Sequence, residues 1–291
     1  MKVLVTGVCG QLGFDVVNEL KNRGNEVVAT DIADSCNLDV EYHQIDITDK
    51  QAVDEAITKI GPDAVIHCAA WTAVDLAEDS KEKVFAVNAD GTENIALVCK
   101  KLDIKMIYIS TDYVFNGEGE EPWQPDCKDY APLNVYGESK LAGEQAVEKL
   151  VKKFFVVRIA WVFGQNGKNF VRTMINVGSN HDVVRVVSDQ IGTPTYTYDL
   201  AKLLADMVVT DKYGYYHATN EGGFISWYDF TCEIFKQAGI KSEVIPVTTA
   251  EYGLSKAARP FNSRLDKSKL SENGFTPLPH WKDALKRYLS K

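Results

Sequence analysis

The feature that most constrains the fold is a glycine-rich turn near the N-terminus. The stretch "GVCGQLG" places Gly7, Gly10 and Gly13 directly after the apolar run "KVLVT" and at the start of a helical segment. Glycines let the backbone turn tightly and approach a pyrophosphate, while free N–H groups and the helix dipole favour its negative charge. The turn therefore predicts a dinucleotide-binding unit, although its G-x-x-G-x-x-G spacing is one residue longer at the start than the common fingerprint. Glycines that serve only the turn and its packing are the alternative.

Strands and helices alternate along the first half of the chain. Short apolar runs rich in β-branched residues predict strands buried on both faces, as in a parallel sheet; they are KVLVT, EVVAT, DAVIHCAA, KMIYIS and FFVVRIAWVF. From Val84 to Leu102, apolar and small residues recur at helical spacing, and Gly91 allows a close contact. The alternation predicts an α/β fold with a doubly wound parallel sheet of the Rossmann type and ligands at the carboxyl ends of its strands.

The pattern divides the chain at about residue 163. Residues 1–163 form the predicted NAD(P)-binding Rossmann domain, and residues 164–291 form a smaller C-terminal domain that we expect to bind the substrate. A segment at about 190–218 returns to the first domain, because "YGYYHAT" predicts one further strand of the main sheet.

Composition narrows the class of protein. The chain has 291 residues, of which 45% are hydrophobic and 25% charged, as in ordinary soluble globular proteins. Its 41 acidic and 32 basic residues give a net charge of -9 without a basic stripe, which argues against binding nucleic acid. No signal sequence or membrane-spanning run is visible, so we expect no membrane partner and a cytoplasmic location. The six cysteines are scattered, which predicts reduced thiols and no zinc site.

Asp31 ends the second predicted strand, where a carboxylate can accept hydrogen bonds from the adenosine ribose of a dinucleotide. A turn residue with only a solvated role is the alternative. No Arg or Lys lies between Asp31 and Asp46 to neutralise a 2′-phosphate, which favours NADH, but Lys21 or Arg23 could swing over, so NADPH stays open. The residues that we assign to the cofactor belong to the glycine-rich turn and the strand ends: Gly7, Gly10, Gln11, Leu12, Gly13, Asp31, Asp46, Ile47, Cys68, Ala69, Ala70 and Thr72.

A second motif, "VYGESK", places Tyr136 four residues before Lys140 at the predicted start of a helix. Residues four apart lie on one face of a helix, so an ammonium can sit beside a phenol. The same spacing also occurs in solvated Tyr and Lys pairs, so the spacing alone does not distinguish a catalytic pair from a solvated one. Thr111 ends another predicted strand in "ISTDYVFNG", where its hydroxyl could hydrogen-bond the phenol oxygen, although an ordinary turn role is open too.

Together these residues resemble the extended short-chain dehydrogenase/reductase family, which combines the glycine-rich turn with "NADGT", a strand-end Ser or Thr and Tyr-x-x-x-Lys. The resemblance covers the whole chain. Within that family, six motifs in order are similar to reductases of thymidine-diphosphate sugars: "AAWTAVDLAE", "STDYVFNG", "YGESKLAGE", "RIAWVFG", "DQIGTPTYTYDLA" and "RPFNSRLD".

The resemblance implies roles in catalysis and cofactor binding. Tyr136 would be the proton donor, and Lys140 together with the positive charge of the cofactor would lower the pKa of its phenol. Both side chains would contact the cofactor, Lys140 through the nicotinamide ribose. Thr111 would hydrogen-bond the phenol oxygen.

The resemblance also implies a set of substrate contacts. Besides Thr111, these are Asp112 and Tyr113 at the strand end and Trp161 in "RIAWVFG". For Trp161, plain core packing is an open alternative. Arg259 in "RPFNSRLD" is either a pyrophosphate contact or one half of a structural ion pair.

The implied activity is transfer of hydride from NADPH or NADH to the fourth carbon of a thymidine-diphosphate 6-deoxy-4-keto sugar. Related dehydratases carry an Asp-Glu pair after the strand-end Thr, whereas here Tyr113 follows Asp112, so their base is missing. Another enzyme of the family, such as an epimerase, and a non-catalytic regulatory subunit are the alternatives. Some relatives dimerise around magnesium through glutamates; because Asp15 stands at the N-terminal position, we predict no metal and leave monomer and homodimer open.

Overall fold

The computed structural model describes residues 1–291. The strands are β1 (Lys2–Thr6), β2 (Glu26–Asp31), β3 (Glu41–Gln44), β4 (Ala64–His67), β5 (Lys105–Thr111), β6 (Phe154–Ile159), β7 (Val162–Phe163), β8 (Val183–Val187), β9 (Ile191–Gly192), β10 (Thr195–Tyr196), β11 (Gly214–His217), β12 (Ile225–Ser226) and β13 (Glu243–Val247). The helices are α1 (Gln11–Asn22), α2 (Lys50–Ile60), α3 (Val74–Ala77), α4 (Lys81–Phe85), α5 (Gly91–Leu102), α6 (Val135–Leu150), α7 (Phe170–Asn180), α8 (Thr197–Val208), α9 (Trp227–Ala238), α10 (Thr249–Tyr252), α11 (Ser268–Glu272) and α12 (Trp281–Leu289).

Seven strands form one parallel sheet in the order β11-β6-β5-β4-β1-β2-β3. Apolar residues of α1 and α8 cover one face, and those of α2, α5 and α6 cover the other. This is the doubly wound α/β fold predicted from the sequence. The strand order reverses between β1 and β4, which is where open sheets of this class hold their ligands.

The elements differ from the predicted ones in two places. The run FFVVRIAWVF was predicted as one strand, but it forms β6 and β7, because the backbone turns at Trp161, whose φ is 49°. Strand β3 was not predicted, since its sequence EYHQ is polar and none of its residues is buried. The predicted helix between Val84 and Leu102 is confirmed; a π-helical turn at Ala86–Asp90 joins α4 to α5.

The second half of the chain contributes to the main sheet and to a separate core. Strand β11 pairs in parallel with β6, which confirms the predicted returning strand. A further cluster of 12 buried residues, including Phe163, Phe230 and Trp281, lies largely within the later part of the chain. Leu270 and Phe275 instead pack into the core of the main sheet. The domain boundary at residue 163 stays a prediction. None of the helices is both long and apolar enough to cross a membrane.

Helix α6, which carries the Tyr136 and Lys140 motif, is fixed to β6 by a buried ion pair. Arg158 donates from Nε and Nη2 to the two carboxylate oxygens of Glu144, both at 2.8 Å, and neither side chain has any exposed surface. The remaining Nη1 of Arg158 donates to the carbonyl oxygen of Pro125 at 3.0 Å. A buried charge that loses its partner is costly, so this pair constrains where α6 lies on the sheet.

We expect Glu144→Ala to lower the free energy of unfolding by about 3–5 kcal/mol, because it leaves the Arg158 guanidinium buried without its carboxylate. Denaturant unfolding measures the loss. The matched control is Glu148→Ala on the same helix, which removes the exposed partner of Lys128 and should cost about 1 kcal/mol or less. Equal losses in the two variants would show that the buried pair does not hold α6.

Candidate active site

A cavity of about 1010 Å³ opens at the carboxyl ends of the sheet strands. Every residue assigned to the cofactor from the sequence lines it, as do Thr111, Asp112, Tyr113, Tyr136, Lys140 and Trp161. This volume is at the upper end of the range for small-molecule sites. The fold therefore brings together residues that are up to 221 positions apart in the chain, since Thr6 and Trp227 face the same space.

Glycine is needed for different structural reasons at the three glycine positions of the β1–α1 turn. A Cβ at Gly7 would lie 2.5 Å from the backbone nitrogen of Ala69, and one at Gly13 would lie 2.3 Å from the carbonyl oxygen of Gly7. At those two positions packing alone requires glycine. A Cβ at Gly10 would meet only the Gly7 oxygen, at 3.2 Å, and otherwise open space of the cavity. The turn thus leaves room over Gly10, so these residues fit the diphosphate of a dinucleotide.

Asp31 lies at the end of β2 with its carboxylate beside the turn, where a backbone N–H of the turn donates to its Oδ2 at 2.9 Å. The two cations considered for a 2′-phosphate are engaged elsewhere. Lys21 pairs with Asp39 at 2.6 Å, and Arg23 pairs with Asp206 at 2.5 Å. Asp31 therefore offers a carboxylate to a ribose, while neither Lys21 nor Arg23 is free to bind a 2′-phosphate.

Tyr136 lies in the first turn of α6, whose N-cap Asn134 accepts a hydrogen bond from the N–H of Gly137. Burial raises the pKa of the Tyr136 phenol above its usual value, an effect that the neighbouring hydroxyl of Thr111 partly opposes. The resemblance implied that Lys140 and the cofactor lower this pKa, whereas in this structure burial raises it and Lys140 is not among the groups that shift it. A phenol in this environment stays protonated at neutral pH, which is the form that a proton donor needs.

Lys140 is buried one helical turn further along α6. Its Nζ donates to the carbonyl oxygen of Ile109 at 2.7 Å and lies 4.1 Å from the ring centroid of Tyr108. Burial lowers the pKa of Lys140 to about 7, although the carboxylate of Glu144 acts in the opposite direction. The side chain therefore gains or loses its charge close to neutral pH.

Asp112 follows β5 and carries a buried acceptor that has no partner. Its Oδ1 accepts a hydrogen bond from the Thr111 hydroxyl at 3.1 Å, while its Oδ2 is buried and has no hydrogen-bond partner. Burial raises the pKa of Asp112 to about 6, against the hydrogen bonds of Ser263 and Thr111. The carboxylate is thus largely ionised at neutral pH, with one oxygen free to accept a hydrogen bond from a ligand hydroxyl.

Trp161 forms part of the cavity wall and packs against a second indole that the sequence did not single out. The rings of Trp161 and Trp227 stack with centroids 3.7 Å apart, and both residues line the cavity. Trp161 is therefore more than a core residue, while its contact with a sugar stays a prediction. No motif in the sequence indicates that Trp227, at the start of α9, belongs to the site.

The "NADGT" motif connects two walls of the cavity. Within the π-helical turn, the Asn88 side chain accepts from the backbone N–H of Trp71 at 2.8 Å and donates to the hydroxyl of Ser139 at 3.0 Å. A Cβ at Gly91 would lie 2.8 Å from the Ile47 side chain. The motif therefore positions the segment after β4 against α6.

Besides Lys21 and Arg23, two residues considered from the sequence lie outside the cavity lining. Arg259 donates from Nη1 and Nη2 to the carboxylate of Asp75, at 2.9 and 2.8 Å, which is the structural ion pair left open above. Asp15 accepts a hydrogen bond from the Thr197 hydroxyl. No group of three or more His, Cys, Asp or Glu residues is arranged to hold a metal ion.

Sequence reasoning missed one polar loop of the site, residues 164–169, which we call the bridging loop. Asn166, Gly167, Lys168 and Asn169 line the cavity from the later half of the chain. The sequence "GQNGKN" follows a predicted strand, so the rule that ligands lie at strand ends could have included it.

Comparisons with known proteins agree on one family. The family model described as "RmlD substrate binding domain" matches residues 1–291. The chain is 40% identical over 288 residues to the dTDP-4-dehydrorhamnose reductase of Streptomyces griseus, covering 97% of this chain and 91% of that protein. It is 38% identical over 290 residues to the spore coat polysaccharide biosynthesis protein SpsK of Bacillus subtilis, covering 100% and 97%. The solved structure of dTDP-4-dehydrorhamnose reductase from Bacillus anthracis in complex with NADP superposes with a TM-score of 0.91 at 39% identity, covering 99% and 98%.

The buried ammonium of Lys140 predicts an unusual pH dependence of stability. Between pH 7 and the ordinary lysine pKa of 10.5, the unfolded chain keeps a proton on Lys140 that the folded protein has released. The free energy of unfolding should therefore rise with pH across this window, by up to about 1.4 kcal/mol per pH unit from this group. Denaturant unfolding from pH 7 to 9 tests this by comparing the protein with Lys140→Met, whose profile lacks the rise. Parallel profiles would mean that Lys140 is not desolvated.

Proposed function

Because the chain belongs to the RmlD substrate-binding-domain family, we propose that it is a dTDP-4-dehydrorhamnose reductase that uses NADPH or NADH. One observation carries the proposal: a single cavity joins the glycine-rich turn to the Tyr136, Lys140 and Thr111 side chains. A dinucleotide site and a proton donor that share one cavity fit a reduction in which hydride and proton are delivered to the same carbonyl group.

The chain offers partners for the diphosphate, the adenosine ribose and the nicotinamide end of the cofactor. The backbone N–H groups of the β1–α1 turn would hold the diphosphate, and the Asp31 carboxylate would accept hydrogen bonds from the adenosine ribose. Tyr136 and Lys140 would hold the nicotinamide end; they line the same cavity as the small residues Ala69 and Ala70 after β4. Bound NADPH or NADH supplies the hydride that reduces the keto carbon.

Tyr136 supplies the proton in this proposal. Burial keeps its phenol protonated until the keto oxygen gains negative charge and becomes the stronger base. The Thr111 hydroxyl lies beside the phenol and donates to Asp112 before the reaction; by turning its proton toward Tyr136 it would stabilise the phenolate that remains after the transfer. The positive form of Lys140 favours the same phenolate, since an ammonium nearby stabilises negative charge.

The sugar is held by groups that need not titrate during the reaction. The free Oδ2 of Asp112 accepts from a sugar hydroxyl, and the indole of Trp161 offers an apolar face to the ring. Tyr113, which meets the Tyr136 ring edge-on with centroids 5.7 Å apart, replaces the glutamate that a dehydratase uses as its base. This arrangement supports reduction and offers no base for dehydration at that position.

The product of this reaction, dTDP-L-rhamnose, is a donor for polysaccharide biosynthesis. The name of the Bacillus subtilis relative places that protein in the synthesis of a spore coat polysaccharide. A nucleotide-sugar substrate agrees with the cytoplasmic location expected from the sequence. We leave monomer and homodimer as the two candidate states, and gel filtration with light scattering distinguishes them.

The direct test is an assay with dTDP-6-deoxy-L-lyxo-4-hexulose and each reduced cofactor. We expect turnover with both, and rates with NADH within roughly tenfold of those with NADPH, a difference of about 1.4 kcal/mol. The reason is that Asp31 suits a ribose, while Lys21 and Arg23 are paired elsewhere. As a control, dTDP-glucose with NAD should give no 4-keto-6-deoxy product. Lack of reduction, or appearance of that product, would refute the proposal.

We expect Tyr136→Phe to fold and to bind cofactor but to lose about a hundredfold or more in kcat, because only the proton donor is removed. Single-turnover kinetics together with cofactor titration separate the two effects. The matched control is Tyr108→Phe, which removes a buried hydroxyl that donates to the carbonyl oxygen of Lys140 at 3.2 Å and does not line the cavity. A Tyr136→Phe rate near that of the parent protein would show that the proton comes from another group.

A further inference from the structure

The charges that line the cavity do not match the ligands of the proposed reaction. A dinucleotide and a dTDP-sugar each carry a diphosphate, yet the lining contains no arginine and only two lysines, Lys140 and Lys168. Three aspartates, at positions 31, 46 and 112, also line it. Lys140 is buried and donates to Ile109. Lys168 is thus the one exposed cation of the cavity wall.

Lys168 is free to bind a ligand. It lies in the bridging loop, its side chain is exposed, and none of the ion pairs in the chain includes it. A lysine of this kind carries a compact charge on a long flexible stem, which suits phosphate oxygens. Two diphosphates are candidates for this contact, that of the dinucleotide and that of the sugar nucleotide.

Contacts on both sides of Lys168 fix the bridging loop to the glycine-rich turn. Asn166 donates from Nδ2 to the carbonyl oxygens of Cys9 and Gly10, at 2.9 and 3.1 Å. Asn169, which is buried, donates to the side-chain oxygen of Gln11 at 3.1 Å. The residues two before and one after Lys168 therefore both touch the turn that leaves room for a diphosphate over Gly10.

Asn169 also ties the loop to its own half of the chain. Its Nδ2 donates to the carbonyl oxygen of Gly164 at 2.8 Å and to the hydroxyl of Tyr288 at 3.2 Å, while its Oδ1 accepts from the N–H of Arg172 in the first turn of α7. The backbone around Lys168 is therefore held in place before any ligand binds, which limits the ordering cost to the lysine side chain.

We propose that Lys168 binds the diphosphate of the dinucleotide cofactor, so that the later half of the chain completes the cofactor site. The inference rests on the proposed function, because it assumes that the glycine-rich turn holds a dinucleotide. The turn itself offers only neutral N–H groups, whereas the diphosphate carries two negative charges. Lys168 adds the positive charge that the turn lacks, through a charge-assisted hydrogen bond to a phosphate oxygen.

The test is calorimetric titration of NADPH and of NADH into the unliganded protein, Lys168→Gln and the control Lys241→Gln. Lys241 is exposed and does not line the cavity. We expect Lys168→Gln to raise Kd about five- to tenfold for both cofactors, with a smaller effect at high salt, and Lys241→Gln to leave Kd unchanged. Lys168→Arg should restore most of the affinity.

Three further results decide where the charge acts. Reduced nicotinamide riboside, which carries no phosphate, should bind the parent protein and Lys168→Gln equally. A loss for NADPH without a loss for NADH would assign Lys168 to the 2′-phosphate, and a loss for dTDP alone would assign it to the sugar nucleotide; each of these overturns the inference. Unchanged cofactor affinity in Lys168→Gln refutes the inference alone, whereas a parent protein that binds neither cofactor refutes the proposed function as well.

Discussion

The close contact between the β1–α1 turn and the end of β4 determines where the rest of the cavity lies. At Gly7 there is no room for a side chain because the backbone of Ala69 lies in the way, and at Gly13 the obstacle is the turn itself. This contact sets the start of α1 beside the point at which the strand order reverses. The segment after β4 then becomes a shared wall, which Asn88 ties to α6. The cofactor side and the chemical side of the cavity are therefore built on the same backbone contact.

Charge burial is the second constraint. Helix α6 brings both Tyr136 and Lys140 into an environment that disfavours their charged forms, raising one pKa and lowering the other. The fold tolerates the burial of these two side chains because the same helix is anchored to β6 by the ion pair of Glu144 and Arg158, in which each charge compensates the other. A buried phenol that stays protonated and a lysine that changes charge near neutral pH are useful for delivering a proton to a keto oxygen. The arrangement links the stability of α6 to the chemistry at its first turn.

The sequence predicted the parts of the fold and site that depend on local pattern. Continuous apolar runs indicated the central strands, and glycines at a strand end indicated the ligand edge. Strand β3 gave no signal because it is short and polar, and the turn at Trp161 depends on tertiary contacts such as its stacking on Trp227. The bridging loop was missed for a similar reason, since Asn166 and Cys9 are 157 positions apart. The raised pKa of Tyr136 was also missed, because burial of a single hydroxyl is a property of the assembled core.

The central claim is that a cofactor bound in this cavity transfers hydride to the fourth carbon of the sugar while Tyr136 protonates the keto oxygen on that carbon. The most direct measurement is the position of deuterium in the product after turnover of dTDP-6-deoxy-L-lyxo-4-hexulose with cofactor deuterated at the reactive C4 position of the nicotinamide, read by NMR. The account predicts one deuterium at C4 of the sugar, and no deuterium from solvent on any sugar carbon when unlabelled cofactor is used in D₂O. Deuterium that enters C3 or C5 from solvent during turnover, or a C4 position without label from the cofactor, would contradict it.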